Sequence, residues 1–526
     1  MAMGGQVDHR NQHLDSLLIS SPQGHSGKTI VTLGLCNVFK RRGLSVQPFK
    51  KGPDYIDPSW LTVAAGRNCH NLDLFLMPRD KLVRTYQEAC RKADLAIVEG
   101  NMGLYDGLDA HGTTAEIARL LKIPILLVVN TTRMTGSIAA MVTGYQQFQK
   151  NIHIAGVILN YVSGSRHERK LRDAVEQYCG IPVLGSLPRN QDFHIKERHL
   201  GLIPSIESGE AGALVEQIGL KLEPYLDLDG ILKISQTHKS SQPLDILKCH
   251  CEGVKGPKQS HDTLEDRQRE IATLPSVARN DKEASPQSAS CQRVKIGVLR
   301  DRAFNFYYPE NLQALIIEGA ELLYINSFND RLPEVDGLYI GGGFPEFFLK
   351  EIEGNHELRR DIAQAVEKGL PVYAECAGLM YLCKSISWQG RSYEMVGIIP
   401  SRVRLSTKPE GHGYVVAEVM GENPLFPVGL TVRGHEFHHS SLLDSEGLYF
   451  AYQMRKGEGI KGKEDGIIYK NLFASYVHLH VSGTPEWAGH FVALVSKQQI
   501  KFQGAFPLPT DKQANAPPAT TKFWQD

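Results

Sequence analysis

The sequence predicts an α/β protein made of two doubly wound domains with mostly parallel sheets. Short apolar runs alternate with longer amphipathic stretches in two separate regions of the 526-residue chain. This alternation is typical of strands buried on both faces of a parallel sheet and of the helices that connect them. A polar segment separates the two regions, and the chain is too long for a single hydrophobic core. We therefore expect each region to fold as its own domain.

Composition argues against several classes of function. The chain has 58 Lys and Arg against 58 Asp and Glu, so no excess positive charge indicates nucleic acid binding. No apolar run approaches the length of a membrane span, and no secretory signal pattern is present. The nine cysteines are irregularly spaced, which is typical of reduced thiols rather than of a disulfide framework. We expect a cytoplasmic protein that binds neither nucleic acid nor membranes.

The predicted domain boundaries follow from these composition changes. Residues 14–235 form the first predicted domain and residues 293–503 the second, with flexible tails at 1–13 and 504–526. Residues 236–292 are expected to be a polar linker. The linker contains Cys249, His250 and Cys251. One such cluster without a second ligand pair is weak evidence for zinc, and incidental placement is the preferred interpretation.

Six strands are predicted in the first domain, and the loop after the first one is a candidate phosphate-binding loop. The strands are Leu17–Ser20, Val46–Lys50, Leu95–Glu99, Ile125–Asn130, Ala155–Asn160 and Pro182–Ser186. Ligands of such sheets bind beyond the carboxyl ends of the strands. The first strand leads into a loop that ends in Gly27-Lys28-Thr29 and opens a helix. Backbone N–H groups and the positive helix end would face a phosphate there, Lys28 would add charge, and the Thr29 hydroxyl suits Mg²⁺.

The loop departs from the strict phosphate-loop pattern at one position. Pro22 stands where that pattern has glycine, and Gly24 and Gly27 supply the backbone freedom instead. An ordinary strand–helix turn therefore stays open as an alternative when the loop is considered alone.

Acidic residues after the second and third strands favour a nucleotide site. They are Asp54, Asp57, Glu99 and Asp106. Each of them alone is more often a turn or cap residue. Together with the phosphate loop, they predict a Mg²⁺–nucleotide site, because hard oxygen ligands are what Mg²⁺ requires when it bridges phosphates.

The second region contains a candidate nucleophile. Its predicted strands are Lys295–Leu299, Glu321–Ile325, Gly337–Ile340 and Pro371–Ala374. Cys376 lies between small residues on a predicted strand-to-helix turn, the arrangement of a nucleophile elbow. Backbone N–H groups of the elbow and of the loop Gly341–Gly343 are suited to stabilising an oxyanion. The required base is expected among the histidines of 434–439 and 475–480. A buried, inert cysteine is the alternative.

Taken together, these motifs resemble the family of cobyrinic acid a,c-diamide synthases, ATP-consuming glutamine amidotransferases of corrinoid synthesis. The segments that carry the resemblance are Lys50–Pro58, Glu99–Gly107, Arg198–Leu202, Phe304–Tyr308, Gly341–Glu346, Ala374–Leu379, Gly434–Ser440 and Tyr476–His480. The resemblance runs from Leu17 to about Val495, interrupted by the linker. It implies a P-loop domain similar to dethiobiotin synthetase and a flavodoxin-like triad glutaminase domain.

The resemblance also implies roles for individual residues. Cys376 would attack glutamine and His478 would be the base, with Gly342, Gly343 and Ala377 at the oxyanion. The implied nucleotide-binding residues are Gly24, Ser26, Gly27, Lys28, Thr29 and Asn160, the last for adenine. The implied Mg²⁺ residues are Thr29, Asp54 and Glu99, and the implied substrate residues are Asp54, Tyr55, Asp57 and Asp106. ATP with Mg²⁺ would phosphorylate a substrate carboxylate, and ammonia from L-glutamine would displace the phosphate.

Several residues differ from the family pattern. Ala377 stands where glycine is usual, Asn130 where aspartate is usual, and Asn101 where an apolar residue is usual. His480 stands where related glutaminases have glutamate, which leaves the third triad member open.

These differences leave the substrate more open than the reaction. The a- and c-acetates of cobyrinate or hydrogenobyrinate are the preferred substrate, with sirohaem or nickel-sirohydrochlorin as alternatives. A non-catalytic tetrapyrrole- or nucleotide-binding homologue is a further alternative, which the intact Cys376 and His478 disfavour. A partitioning-type ATPase is disfavoured because no basic DNA-binding segment is present. Whether the chain forms a homodimer is left open.

Overall fold

The computed structural model describes residues 14–108, 112–189, 195, 197–198, 201–236 and 293–505. The N-terminal tail, nearly all of the predicted linker with its Cys-His-Cys cluster, and residues 506–526 lie outside the described residues. No helix in the described ranges is long and apolar enough to cross a membrane.

A seven-stranded parallel sheet organises the first domain, with the strand order β3-β2-β4-β1-β5-β6-β7. Its strands are β1 (Asp15–Ser20), β2 (Val46–Lys51), β3 (His70–Leu72), β4 (Leu95–Glu99), β5 (Ile125–Asn130), β6 (Ile154–Val162) and β7 (Val183–Pro188). A small hairpin, β8 (Glu197–Arg198) and β9 (Gly201–Leu202), follows. The chain starts at β1 in the middle of the sheet, places β2, β3 and β4 on one side of it and β5, β6 and β7 on the other, and inserts β4 between β1 and β2. The carboxyl end of β1 therefore lies at a topological switch point, where ligands of such sheets bind.

Eight helices of the described chain belong to this domain. They are α1 (Lys28–Arg41), α2 (Ile56–Ala65), α3 (Arg79–Cys90), α4 (Thr114–Leu121), α5 (Ser137–Gln147), α6 (Ser165–Cys179), α7 (Ala211–Leu222) and α8 (Leu228–Ser235). Local sequence fixes their ends. For example, the Thr113 side chain accepts the N–H of Glu116 at the start of α4, as in a capping box. Gly66 ends α2 in a left-handed conformation, which glycine adopts without steric cost.

All six predicted strands of this domain are present, with ends shifted by up to two residues. The structure adds β3, which the sequence did not predict. β3 has three residues and pairs only with β2, so it is too short to show an apolar pattern of its own.

A ten-stranded mixed sheet organises the second domain, in the order β11-β10-β12-β13-β22-β21-β20-β17-β18-β23. Its parallel half consists of β10 (Val294–Leu299), β11 (Ala320–Ile325), β12 (Gly337–Ile340), β13 (Val372–Glu375) and β22 (Leu472–Ser475). Its antiparallel half consists of β17 (Gly411–Val419), β18 (Thr431–His438), β20 (Tyr449–Lys456), β21 (Glu464–Tyr469) and β23 (His478–Leu479). The parallel half contains all four predicted strands.

The remaining elements complete the second domain. A four-stranded sheet inserted after the elbow contains β14 (Cys383–Trp388), β15 (Arg391–Glu394), β16 (Ile399–Leu405) and β19 (Ser440–Leu443). The helices are α9 (Pro309–Ile317), α10 (Leu349–Gly354), α11 (His356–Glu367), α12 (Ala377–Leu382) and α13 (Glu486–Ala505). Buried apolar clusters lie on both faces of the ten-stranded sheet, as a doubly wound domain requires.

The two domains belong to one compact unit and contact each other directly. On the first domain, β3 and the residues after it supply several of these contacts. His70 Nδ1 lies 2.7 Å from Glu310 Oε1, and the Tyr414 hydroxyl donates a hydrogen bond to Asp73. These contacts bring the carboxyl end of the parallel sheet of the first domain against the second domain.

Candidate active sites

The phosphate-loop candidate has the geometry that its glycines predict. Gly27 precedes α1 with φ 91°, a left-handed conformation that favours glycine. A Cβ at this position would come well within 3.0 Å of Asn160 Nδ2, so only glycine fits. Asn160 Nδ2 donates to the Ser26 carbonyl at 2.9 Å. The end of β6 therefore holds the loop directly, and the structure brings the predicted adenine residue against the predicted phosphate residues.

Lys28 connects this loop to the loop after β4. Its Nζ donates to Ser21 Oγ at 2.9 Å and to the Met102 carbonyl at 2.7 Å. A Cβ added at Gly24 would lie 3.9 Å from the Met102 side chain, so the two loops approach each other here as well. Burial lowers the pKa of Lys28 to about 8, because desolvation penalises the ammonium. The ammonium is thus held between two loops at the carboxyl edge of the sheet.

A buried ion cluster lies beside the loop. Glu99 ends β4 and is fully buried; its Oε1 accepts hydrogen bonds from Thr29 Oγ1 and from Lys50 Nζ, each at 2.8 Å. Lys50 also pairs with Asp57, and its Nζ lies 3.7 Å from Asp54 Oδ2. The structure therefore joins four of the predicted residues around a lysine that the sequence analysis did not select.

Desolvation dominates the electrostatics of this cluster. It raises the pKa of Asp54 to about 7, and the neighbouring Asp57 carboxylate adds to that effect. Glu99 also has a raised pKa, again chiefly through burial. The pKa of Lys50 is well above its ordinary value because Asp57, Glu99 and Asp54 outweigh the desolvation of its ammonium. The cluster therefore favours a cation between its carboxylates.

The donor set fits a magnesium ion that is bound together with phosphates. Among the described residues, no group of three or more His, Cys, Asp or Glu side chains has metal-binding geometry. Glu99 Oε2, however, is buried without a hydrogen-bond partner, next to the Thr29 hydroxyl. One hydroxyl and one or two carboxylates are few ligands, which is typical of Mg²⁺ that takes water and nucleotide oxygens as its other ligands.

The other predicted acids also have local structural roles. Asp54 Oδ1 accepts the backbone N–H groups of Ile56 and Asp57 at 2.9 and 3.2 Å at the start of α2. Asp106 Oδ2 accepts the Gly103 N–H at 2.7 Å and so closes the turn after β4. Both roles orient the carboxylates at the carboxyl edge of the sheet.

A cavity of about 590 Å³ lies at the carboxyl ends of β5 and β6. Thr132, Arg133, Tyr161, His167 and Arg189 are among its lining residues. Tyr161 directly follows the asparagine that holds the phosphate loop, so the cavity adjoins that loop. The sequence analysis did not select these residues, although their position after two predicted strands was a usable signal.

Tyr55 extends from the ion cluster into the second domain. Its ring stacks on Phe306 with centroids 4.9 Å apart and 8° between the planes. It also lies 4.6 Å from the Tyr308 ring and 5.4 Å from the His478 ring. Two consecutive residues, Asp54 and Tyr55, therefore contact the two candidate sites.

The second site is built on a strained elbow. Cys376 follows β13 with φ 48° and ψ −101°, and α12 begins at Ala377. Such backbone strain is typical of nucleophile elbows. Ala377 does not have a positive φ, so alanine is accommodated at this position without backbone strain. Burial raises the pKa of the Cys376 thiol, and the Ala377 N–H acts in the opposite direction.

The glycine loop after β12 lies directly against a histidine. A Cβ at Gly342 would come well within 3.0 Å of the His478 ring, and one at Gly343 would collide with the Ala303 carbonyl. The Gly341 N–H is already engaged, because it donates to the Tyr307 hydroxyl at 2.8 Å. The loop therefore brings Gly342 to the candidate base at van der Waals distance.

His478 is oriented by a carboxylate. Its Nδ1 lies 3.3 Å from Glu375 Oε2, and its ring stacks on His435 with centroids 5.0 Å apart. Cys376 Sγ lies 4.0 Å from the Phe437 carbonyl. In the described parts of the chain, no hydrogen bond joins Cys376 to His478. Glu375 was not selected from the sequence, although a glutamate directly before a nucleophile was visible there.

Two family models match the chain. A CobB/CobQ-like glutamine amidotransferase domain matches residues 295–486, and a CobQ/CobB/MinD/ParA nucleotide binding domain matches residues 17–203. The cobyrinate a,c-diamide synthase of Magnetococcus marinus is 41% identical over 476 residues, which is 90% of this chain and 95% of that protein. The proteins of the same name from Methanosarcina acetivorans and Archaeoglobus fulgidus are each 37% identical; they match 91% and 92% of this chain and 95% and 98% of their own lengths.

Proposed function

The chain belongs to the cobyrinate a,c-diamide synthase family of glutamine-dependent ligases, and from this premise we propose that it amidates the a- and c-acetate side chains of cobyrinate or hydrogenobyrinate with ATP and L-glutamine. The nucleotide-binding domain would activate the acetate carboxylate, and the amidotransferase domain would supply ammonia. One observation carries the proposal. Asp54 contacts the ion cluster, and the next residue, Tyr55, contacts His478, so a single peptide bond links the two candidate sites.

In the amidotransferase site, Cys376 attacks the side-chain amide of glutamine. The thiol proton moves to His478 Nε2, since Nδ1 faces Glu375. The N–H groups of Gly342, Gly343 and Ala377 stabilise the tetrahedral oxyanion. His478 then gives the proton to the departing ammonia, and water hydrolyses the thioester that remains on Cys376 to glutamate.

In the nucleotide site, an acetate carboxylate oxygen attacks the γ-phosphorus of ATP, forming an acyl phosphate and releasing ADP. Lys28 and Lys50 offset the repulsion between the carboxylate and the phosphates. Ammonia then attacks the acyl carbon, and inorganic phosphate leaves with the bonding electrons. Thr29, Glu99 and Asp54 would hold Mg²⁺, which neutralises phosphate charge when bound. Asp57 and Asp106 would contact the corrinoid substrate, and the cavity beside Asn160 would bind the adenosine of ATP.

The experiment that tests this function replaces the nucleophile. We expect Cys376→Ser to abolish amidation with glutamine and to retain amidation with ammonium chloride, because only the first source needs the thiol. Cobyrinate, sirohaem and nickel-sirohydrochlorin are supplied in parallel, with ATP and Mg²⁺, and product masses are measured. Cys383→Ser is the matched control, since Cys383 is also buried in the same domain. Full glutamine use by Cys376→Ser would refute the nucleophile, and an unchanged mass of cobyrinate would refute the substrate, because each conversion of a carboxyl group to an amide replaces OH by the slightly lighter NH₂.

A further inference from the structure

A buried carboxylate that the sequence analysis did not select lies behind the candidate base. Glu375 is the last residue of β13, directly before Cys376, and is 1% exposed. Its Oε2 lies 3.3 Å from His478 Nδ1 and accepts the Tyr339 hydroxyl at 3.3 Å. Its Oε1 accepts the Tyr373 hydroxyl at 2.9 Å. Both oxygens are therefore engaged, and one of them points to the histidine.

Strand pairing accounts for this approach. Glu375 is paired with Ser475 in the parallel β13–β22 ladder. His478 follows Ser475 by three residues, so it lies just beyond the carboxyl end of β22, the strand that pairs with the end of β13 at Glu375. The Leu479 N–H, 3.4 Å from Glu375 Oε1, adds a contact from the residue after the histidine. The His478 side chain and the Leu479 backbone N–H thus both approach the Glu375 carboxylate.

His480 cannot supply the missing acid. It occupies the position where related glutaminases have glutamate, two residues after the base, and its Nε2 lies 3.6 Å from Glu310 Oε2. Glu310 in turn pairs with His70 of the first domain. In the described part of the chain, Glu375 is the one carboxylate within 4.0 Å of the His478 ring nitrogens.

We propose that Glu375 is the positioning carboxylate of the amidotransferase site and completes a Cys376–His478–Glu375 triad. This inference rests on the proposed roles of Cys376 and His478. Glu375 holds the proton of His478 on Nδ1, which leaves Nε2 as the acceptor for the thiol proton. When His478 becomes an imidazolium, the adjacent carboxylate stabilises its charge, and Glu375 itself takes up no proton. The carboxylate acts through the histidine and contacts no substrate atom.

The test exchanges this acid for its amide. In Glu375→Gln the amide group facing Nδ1 favours the other histidine tautomer, so we expect kcat for glutamine hydrolysis to fall by about 10³-fold or more. Amidation with ammonium chloride should stay within twofold of wild type. Glu310→Gln is the matched control, because it makes the same exchange beside His480; it should change glutamine hydrolysis less than tenfold.

A second readout separates positioning from support of the fold. The alkylation rate of Cys376 by iodoacetamide is measured against pH, with the thermal unfolding temperature of each variant. We expect the alkylation profile of Glu375→Gln to shift to higher pH, whereas a merely structural role would leave the profile in place. Glutamine hydrolysis within tenfold of wild type would overturn the proposal, and so would loss of the ammonia-dependent reaction. If Cys376→Ser still used glutamine, the proposed nucleophile would fail independently of Glu375.

Discussion

A methyl group at Gly27 is expected to impair nucleotide binding by two separable effects. The first is conformational, since φ 91° places this residue in the left-handed region, which costs a side-chain-bearing residue about 1–2 kcal/mol. The second is a collision, because the added Cβ would come well within 3.0 Å of Asn160 Nδ2. Displacing that amide breaks its hydrogen bond to the Ser26 carbonyl, worth roughly 0.5–1.5 kcal/mol.

The two effects together amount to about 1.5–3.5 kcal/mol. In free Gly27→Ala the loop relaxes away from the strained conformation, and binding of the nucleotide must restore it. The ATP dissociation constant should therefore rise roughly 10- to 300-fold, at 1.4 kcal/mol for each factor of ten. Titration calorimetry with a non-hydrolysable ATP analogue measures this change directly. Glutamine hydrolysis in the same variant reports whether the second domain is intact.

Gly43 provides the matched control. It has φ 88°, nearly the same as Gly27, but nothing lies within 4 Å of an added Cβ. Gly43→Ala therefore introduces the backbone strain without the collision and away from the loop. We expect its ATP affinity to equal that of wild type. Equal affinities in Gly27→Ala and wild type, or equal losses in the two variants, would refute the reasoning.

Two further predictions concern buried charges. Lys50→Met leaves the fully buried Glu99 without its cation, so we expect the free energy of unfolding to fall by about 3–5 kcal/mol. We also expect amidation to be lost with either nitrogen source. Denaturant unfolding measures the first effect, and the ammonium assay measures the second. Burial raises the pKa of Asp465 to about 7, above the ordinary 3.8, so its carboxyl contributes stability below pH 4 that is lost as pH rises through 7. Asp465→Asn should match wild type near pH 4 and be more stable above pH 7 by up to roughly 4 kcal/mol, whereas a pH-independent difference would contradict this assignment.

The conformation of the candidate phosphate loop was predictable because its requirements are local. Gly27, Lys28 and Thr29 are adjacent, and their spacing alone indicates a loop with a left-handed glycine and a helix start. Most strands of the first sheet and of the parallel half of the second were predictable for a similar reason, since burial on both faces gives continuous apolar runs; β3 and β22 were not predicted. By contrast, β17 of the antiparallel half alternates buried with partly buried positions along much of its length, so its apolar run is less distinct.

The residues that the sequence analysis missed depend on distant partners. Lys50 is fully enclosed only because Glu99, 49 residues away, lies on the neighbouring strand. Glu375 meets His478 across 103 residues. Neither residue type is ordinarily buried, so composition argues against both until the partner strand is known. Local residue patterns therefore identify candidate reactive groups, whereas the charged residues that contact those groups are identified only once the strand pairing is known.

His480 shows how a departure from a family pattern acquires a physical reason. A glutamate at this position would place a second carboxylate beside Glu310, with no imidazole to bridge them, and like charges at that distance disfavour each other in a buried site. With histidine there, Glu310 contacts both His480 and His70, and its pKa is lowered by these two partners despite its burial. The position thus contributes to the contact between the domains. The proposed triad requires an acid behind His478, and Glu375 lies where it can serve without disturbing that contact.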